Sequence, residues 1–221
     1  YLILAMNYFP ICKPNQLIIG QGQTVISTGW TIASVVANKL AATCFAAIGQ
    51  LYNAESGIDY LVRNLLANPH VRHLIVLDGT QYDKNSGASK CLVAFFKDGA
   101  TLGRSKAGNT KWIVNSPVCG YINADVPVEA IKIIRESITV HRCDTVAAAV
   151  SIAIALTNQP SQPWGEPLHY LPHPVQGVEL SGELIGNRIE EYTIAEAWVS
   201  LLHRTISFGQ KQTTGYDGYI W

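Results

Sequence analysis

Several things are scarce in this sequence. Its five cysteines are odd in number and stand singly at Cys12, Cys44, Cys91, Cys119 and Cys143. There is no CxxC and no Cys/His pair at zinc-ligand spacing, so a disulfide scaffold and a zinc finger are both excluded, and free thiols in a reducing, cytoplasmic setting are expected. Lysine plus arginine (16) equal aspartate plus glutamate (16), and no basic stripe is interleaved with aromatics. The electrostatic footprint of a nucleic-acid binder is therefore missing. The longest apolar run, residues 146–156, falls well short of the roughly 20 residues that span a bilayer, and no secretory signal pattern opens the chain, so no membrane partner is expected. Walker and GxGxxG phosphate motifs are lacking too, as are internal repeats and low-complexity tracts. The chain opens at Tyr1 without methionine and stops at Trp221 within an apolar stretch, which fits a fragment of a longer protein.

What is present is most informative at residues 53–80, NAESGIDYLVRNLLANPHVRHLIVLDGT. Ile58, Leu61, Val62, Leu65 and Leu66 fall at the i, i+3, i+4, i+7 spacing of a helix with one buried stripe. Asn68-Pro69 ends that helix, because proline lacks an amide hydrogen and displaces the preceding residue from the α region. His73 to Leu77 is then a short apolar run of the kind buried on both faces, which belongs to parallel sheets with helical crossovers. The fold class expected is α/β, a three-layer domain around a mostly parallel central sheet, with a small C-terminal appendage.

Along the chain, residues 17–19 suit a short strand or irregular cap. Residues 32–37 (IASVVA) read as a first core strand and 44–48 (CFAAI) as a second. Residues 86–96 read as a helix capped by Ser86 or Ser89 and closed by the turn at 97–99. Residues 102–117 read as an irregular basic excursion with a short extended piece at 111–114. Pro127 starts a helix whose stripe is Ile131, Ile133, Ile134 and Ile138, leading into a strand at 138–141. Asp144-Thr145 caps an alanine-rich helix to about Leu156. Five of the ten prolines fall in residues 158–174, marking a linker or domain margin. Residues 178–185 read as a hairpin, and 193–208 as an amphipathic helix with a Thr193/Glu196 capping box. The resulting division is a domain at 1–157, a linker at 158–177 and a second module at 178–221.

Ligands of open α/β sheets bind beyond the carboxyl ends of the strands. Asp78, Gly79 and Thr80 lie at such an end. With Ser86, Gly87 and Ser89 they bring glycines, hydroxyls and a helix start together, a setting for a phosphate or carboxylate. Asn53 and Glu55 open the preceding helix at the same edge, where Glu55 suits either a ribose or pterin contact or a helix cap. His70 and His73 flank a turn with no neighbour to activate. His169 and His173 are four apart, but the surrounding prolines argue against the helix that would make them a metal pair, so no metal is expected. Cys91 reads as a buried small hydrophobe and Cys119 as the more exposed thiol. Arg104, Lys106 and Lys111 read as solvated surface or as contacts to a ligand phosphate.

Residues 32–143, through LYNAESGIDYLVRNLLANPHVRHLIVLDG and VPVEAIKIIRESITV, resemble the corrinoid-carrying subunit of tetrahydromethanopterin S-methyltransferase, and more closely the related domain joined to some thymidylate synthases. The resemblance implies a Rossmann-like fold. In the methyltransferase a histidine after the matching strand holds the cobalt of the corrinoid; here that loop, residues 81–87, has no histidine. Residues 195–209 with Gly215-Tyr216 are similar to the first helix of archaeal-type thymidylate synthases, whose nucleophilic cysteine would lie beyond Trp221. The expectation from this resemblance is the N-terminal domain of a pyrimidine-nucleotide methylating protein, binding a nucleotide, folate or pterin, or assembling a homo-oligomer. The alternatives are a corrinoid carrier, without an axial ligand or with a displaced one such as His73, and a structural interaction domain without ligand.

Overall fold

The computed structural model describes residues 7–159 and 162–171 together with two short pairs, 207–208 and 211–212. The chain divides into two compact units, Tyr1–Pro172 and His173–Trp221. The first is a mixed α/β unit built on a five-stranded sheet. Its strands are β1 (Leu17–Ile19), β2 (Thr24–Ser27), β3 (Ala47–Gly49), β4 (His73–Leu77) and β8 (Thr139–Cys143), in the order β1-β3-β2-β4-β8. The last four are parallel, and β1 pairs antiparallel with β3 at one edge.

Helices cover both faces, and chirality explains which helix goes where. The step from β2 to β3 and the step from β3 to β4 run in opposite directions across the sheet. Right-handed crossovers therefore put the intervening helices α1 (Ala33–Ala37) and α2 (Ala54–Leu66) on opposite faces. One core joins Val25, Leu74 and Val76 to α2, α4 (Ala88–Asp98) and α5 (Val128–Ser137). The other joins Ile26, Ile48, Ile75 and Leu77 to α1 and α6 (Val146–Leu156). Adjacent strand residues thus feed opposite cores, which is why β4 reads as a continuous apolar run.

Between α4 and α5 the chain forms an antiparallel sheet of β5 (Ala100–Arg104), β6 (Thr110–Val114) and β7 (Tyr121–Asn123). Arg63 of α2 is fully buried and ties this insertion down. It donates through Nε to Asp59 at 2.9 Å and through both terminal nitrogens to Asp125, and it also reaches the carbonyls of Tyr170 and Leu171. Burial opposes its charge, but the hydrogen bonds to Asp125 and Asp59 outweigh that and hold the guanidinium protonated. Two irregular segments lie across the same helix. Phe9 to Cys12 are held by the amides of Asn64 and Asn68, and residues 162–171 by Trp164 to Pro69 and Val71 and by Leu168 to Leu66.

Several expectations are corrected. The β-branched run at 32–37 is the short helix α1, in which Ala33 and Val36 are buried at i, i+3 while Ile32 and Val35 face outward. The first core strand is instead Thr24–Ser27, and the strand expected over 44–48 begins only at Ala47, after a 3-10 turn at Ala42–Cys44. The helix expected over 86–96 is preceded by a second one, α3 (Gln81–Ser86), where a loop was expected, and Gly87 at φ 65° separates the two. The basic excursion is the ordered β5–β6 hairpin. Residues 162–171 of the proline-rich stretch lie within the first unit. The hairpin expected at 178–185 and most of the helix expected at 193–208 lie outside the described residues. At the end of that helix, Ser207–Phe208 (β9) instead pairs antiparallel with Lys211–Gln212 (β10).

Candidate functional site

Because β2, β3 and β4 are parallel, the segments that follow them emerge at one edge. Leu51 N donates to Gly29 O at 3.1 Å and Thr28 N to Gly49 O at 2.9 Å, joining the first two. The chain leaves β2 toward α1 on one face, and leaves β3 and β4 toward helices on the other. That divergence is the geometry that opens a ligand crevice in α/β sheets.

The residues expected at this edge divide into two groups. Asn53 caps α2, accepting from Ser56 N at 3.2 Å, and also lines a pocket. Glu55 is exposed in the first turn of α2 and pairs with Lys106 at 3.5 Å. Asp78 is buried; its Oδ2 accepts from Arg142 at 2.8 Å, and its Oδ1 has no hydrogen-bond partner among the described residues. A Cβ at Gly79 would stand 2.9 Å from Asp144 O, so a bare backbone is what lets the β4 and β8 loops meet. Thr80 forms a capping box with Asp83 at the start of α3. Ser86 Oγ donates to Asp83 O at 3.2 Å, and Ser89 Oγ to Leu77 O at 3.3 Å. Gly87 is the left-handed junction. The hydroxyls of Thr80, Ser86 and Ser89 are thus engaged by the protein's own groups.

Asp83, which falls in a stretch expected from sequence to be plain loop, organises the edge. Its Oδ1 accepts from Trp30 N at 2.8 Å, and its Oδ2 from Thr80 N at 2.8 Å and Thr80 Oγ1 at 2.7 Å, so one buried carboxylate staples the β2 loop to the β4 loop. Gly29 (φ 57°) lies against it, and a Cβ there would overlap the carboxylate.

The pocket, about 260 Å³, lies between the β1-β3-β2 side of the sheet and α2. Small side chains leave the room: Ser27, Ala47 and Gly49 on the floor, Ser56 and Gly57 on the helix. Tyr8, Cys12, Lys13 and Gln16 wall one side, and Gln50, Tyr52 and Asn53 stand toward the strand ends. Ser27 is almost fully buried and shares the α2-facing side of β2 with Val25, and its hydroxyl has no hydrogen-bond partner among the described residues. Burial pushes the Tyr8 phenol above its ordinary value and the Cys12 thiol up to about 11, so both stay neutral. Lys13 is then the one charged side chain among the lining residues. It holds a left-handed backbone (φ 51°, ψ 49°), uncommon for a side chain of its size, with its ammonium 5.4 Å from the Tyr60 ring centroid.

Tyr52 also belongs to an exposed aromatic shelf. Trp30 meets it edge-on at 5.0 Å and stacks on Tyr82 at 5.6 Å, and the three are 48%, 40% and 67% exposed for Tyr52, Trp30 and Tyr82. Trp30 Nε1 donates to Tyr52 O at 3.2 Å. These aromatics come from two loops and the first turn of α3, and each is too isolated in the sequence to signal a cluster.

Elsewhere, His70 is buried edge-on to Tyr8 and its Nε2 is unpartnered among the described residues. His169 faces Phe9, and His173 lies outside the described residues. Cys91 is buried and its thiol meets Val118 O, while Cys119 is half-buried. Lys111 lies over the Tyr121 ring. Among the described residues no three His, Cys, Asp or Glu side chains converge as metal ligands, and no helix is long and apolar enough to cross a membrane. A scan against protein-family models returns no match for this chain, and neither does a search of curated proteins.

Proposed function

We propose that the first unit, a Rossmann-like domain on this reading, binds a small planar hydrogen-bonding molecule of the pterin, folate or nucleobase class in the pocket under α2. One observation carries the reading: a pocket whose described lining has a single cation and no carboxylate contains a buried serine hydroxyl with no partner among the described residues. Unpaired buried polar groups are costly, and a ligand donor or acceptor would relieve Ser27. The volume suits one fused ring system, near the lower end of small-molecule sites. Lys13 favours a neutral or anionic ligand, and the shelf of Tyr52, Trp30 and Tyr82 offers π-faces to a projecting ring. With the family resemblance of residues 32–143, this makes the unit a ligand-binding or assembly domain of a pyrimidine-nucleotide methylating protein whose methyl-transfer chemistry resides elsewhere. A corrinoid draws less support, since its macrocycle exceeds this pocket and His73 begins β4 at the opposite edge.

Thermal unfolding with pterin, folate and nucleotides present tests the proposal. A ligand at about 100 times its dissociation constant adds roughly 2.7 kcal/mol. Ser27→Val, which fills space and removes the hydroxyl, should abolish the shift while leaving the fold intact. No shift with any of these ligands would sink the proposal and leave the interaction role standing.

A further inference from the structure

At the amino edge of the sheet, opposite the pocket mouth, two imidazoles meet. His141 Nε2 and His73 Nδ1 share a hydrogen bond at 3.3 Å, with ring centroids 5.4 Å apart, on the adjacent parallel strands β8 and β4; a metal would take the place of the shared proton. Strand alternation puts both on the α6 side, since Ile75, Leu77 and Cys143 belong to that core. Two nitrogens bound to zinc at about 2.0–2.1 Å and the tetrahedral angle lie about 3.3–3.4 Å apart, so the spacing matches a chelating pair. Both rings are partly buried, and desolvation lowers both pKa values, aided at His73 by His141 and Arg72. The neutral imidazole that this favours is the form that binds metal.

A second observation points to the same place. Thr24 of β2 pairs with His73 in register and faces the same side, and it is 1% exposed with an unpartnered hydroxyl. Gln23 is next to it, and its backbone carbonyl accepts from Arg72 N at 3.0 Å. Its side-chain nitrogen donates to the carbonyls of Leu156 and Gln159 at 3.1 and 2.8 Å, which turns Oε1 away from α6 and leaves it buried without a donor among the described residues. These contacts place it at the carboxyl end of α6, the negative pole of the helix dipole. The imidazole pair, the Thr24 and Gln23 oxygens, which have no partner among the described residues, and the carboxyl end of α6 thus lie at the same edge of the sheet, a setting that favours a cation.

We propose that His73 and His141 chelate a zinc-class divalent cation at the amino edge of the sheet, with Thr24 and Gln23 supplying nearby oxygen donors. Arg72 is the charged neighbour that opposes it. Zinc chloride titrated into the full chain by calorimetry, with imidazole nitrogen NMR to identify the histidines involved, tests the assignment. One ion per chain should bind and shift the ring signals of His73 and His141. His73→Gln and His141→Gln should each weaken binding by more than the roughly 10–100-fold that loss of an outer-shell partner costs. Failure of the wild-type chain to take up zinc, or equal uptake by the double variant, overturns the proposal. If the variants do not fold, the wild-type ring signals decide: shifts confined to other histidines refute it.

Discussion

The two ends of β4 treat polar groups in opposite ways. At its carboxyl end the Asp83 carboxylate accepts three hydrogen bonds and the hydroxyls of Thr80, Ser86 and Ser89 are all engaged, Asp78 Oδ1 being the exception. At its amino end are His70, His73 and His141, whose pKa values are all lowered by burial, beside the unpartnered oxygens of Thr24 and Gln23. Rigidity and potential binding therefore separate along the strand. The satisfied end holds loops in place for the pocket beside it, and the unsatisfied end retains polar capacity that a ligand or ion can use.

The sharpest way to break this contrast is Asp83→Ala. It orphans two backbone amides, Trp30 N and Thr80 N, in a partly buried setting and removes the staple between the β2 and β4 loops. Hydrogen bonds to charged groups contribute about 1.5–3 kcal/mol each, and the loops will relax partly, so a loss of about 3 kcal/mol is expected in urea unfolding. A loss under about 1 kcal/mol would show that Asp83 does not organise the edge. Acid probes the other end. Each of the three histidines has a native pKa below its ordinary 6.5. Between the native and unfolded values the unfolded chain binds more protons, so stability rises with pH there and is lost as pH falls below about 6.5. Replacing His73 and His141 together by Gln should flatten the decline in stability between neutral pH and mild acid. An unchanged slope would mean that the pair contributes nothing to it.

The same contrast explains what could be read from the sequence. Helix α2 and strand β4 were legible because a stripe at 3.6 spacing and a short apolar run are local signals, whereas the cap of α2 is Asn53 and not Glu55. Residues 32–37 misled because Ile32, Val35 and Val36 are β-branched, although only Ala33 and Val36 of the helical turn meet the core. Asp78, Gly79 and Thr80 were correctly placed at a strand end, since turn residues cluster there in sequence. Asp83 was missed because α3 is only a short helix; its capping box with Thr80 is local, but the bond from Trp30 N that makes it a staple comes from a distant loop. The pocket floor and the His73–His141 pair depend on register between strands far apart in the chain, which no local pattern encodes. Ser27, Ala47 and Gly49 form one cavity only once β3 lies beside β2.

Thr24→Val tests the unsatisfied end by a nearly isosteric change. The hydroxyl is buried and unpaired among the described residues, so its removal should stabilise the zinc-free chain by about 1 kcal/mol, the low end of the cost of an unmet buried polar group. Destabilisation by a similar amount would mean that the hydroxyl is satisfied in solution.

Asn53→Ala is the mildest probe and acts where cap and pocket coincide. The side chain accepts from Ser56 N and Ser56 Oγ, both at 3.2 Å, on the exposed first turn of α2. Loss of such a cap costs about 0.5–1 kcal/mol, at the low end here because the bonds are long and solvent can replace them. Stability alone would not distinguish a cap from a pocket residue, but ligand affinity would. If Asn53 only caps the helix, the small loss in stability leaves the ligand-induced thermal shift unchanged. A fall in affinity beyond what that loss explains makes Asn53 part of the binding surface and ties the strand-end loop to the pocket beneath α2.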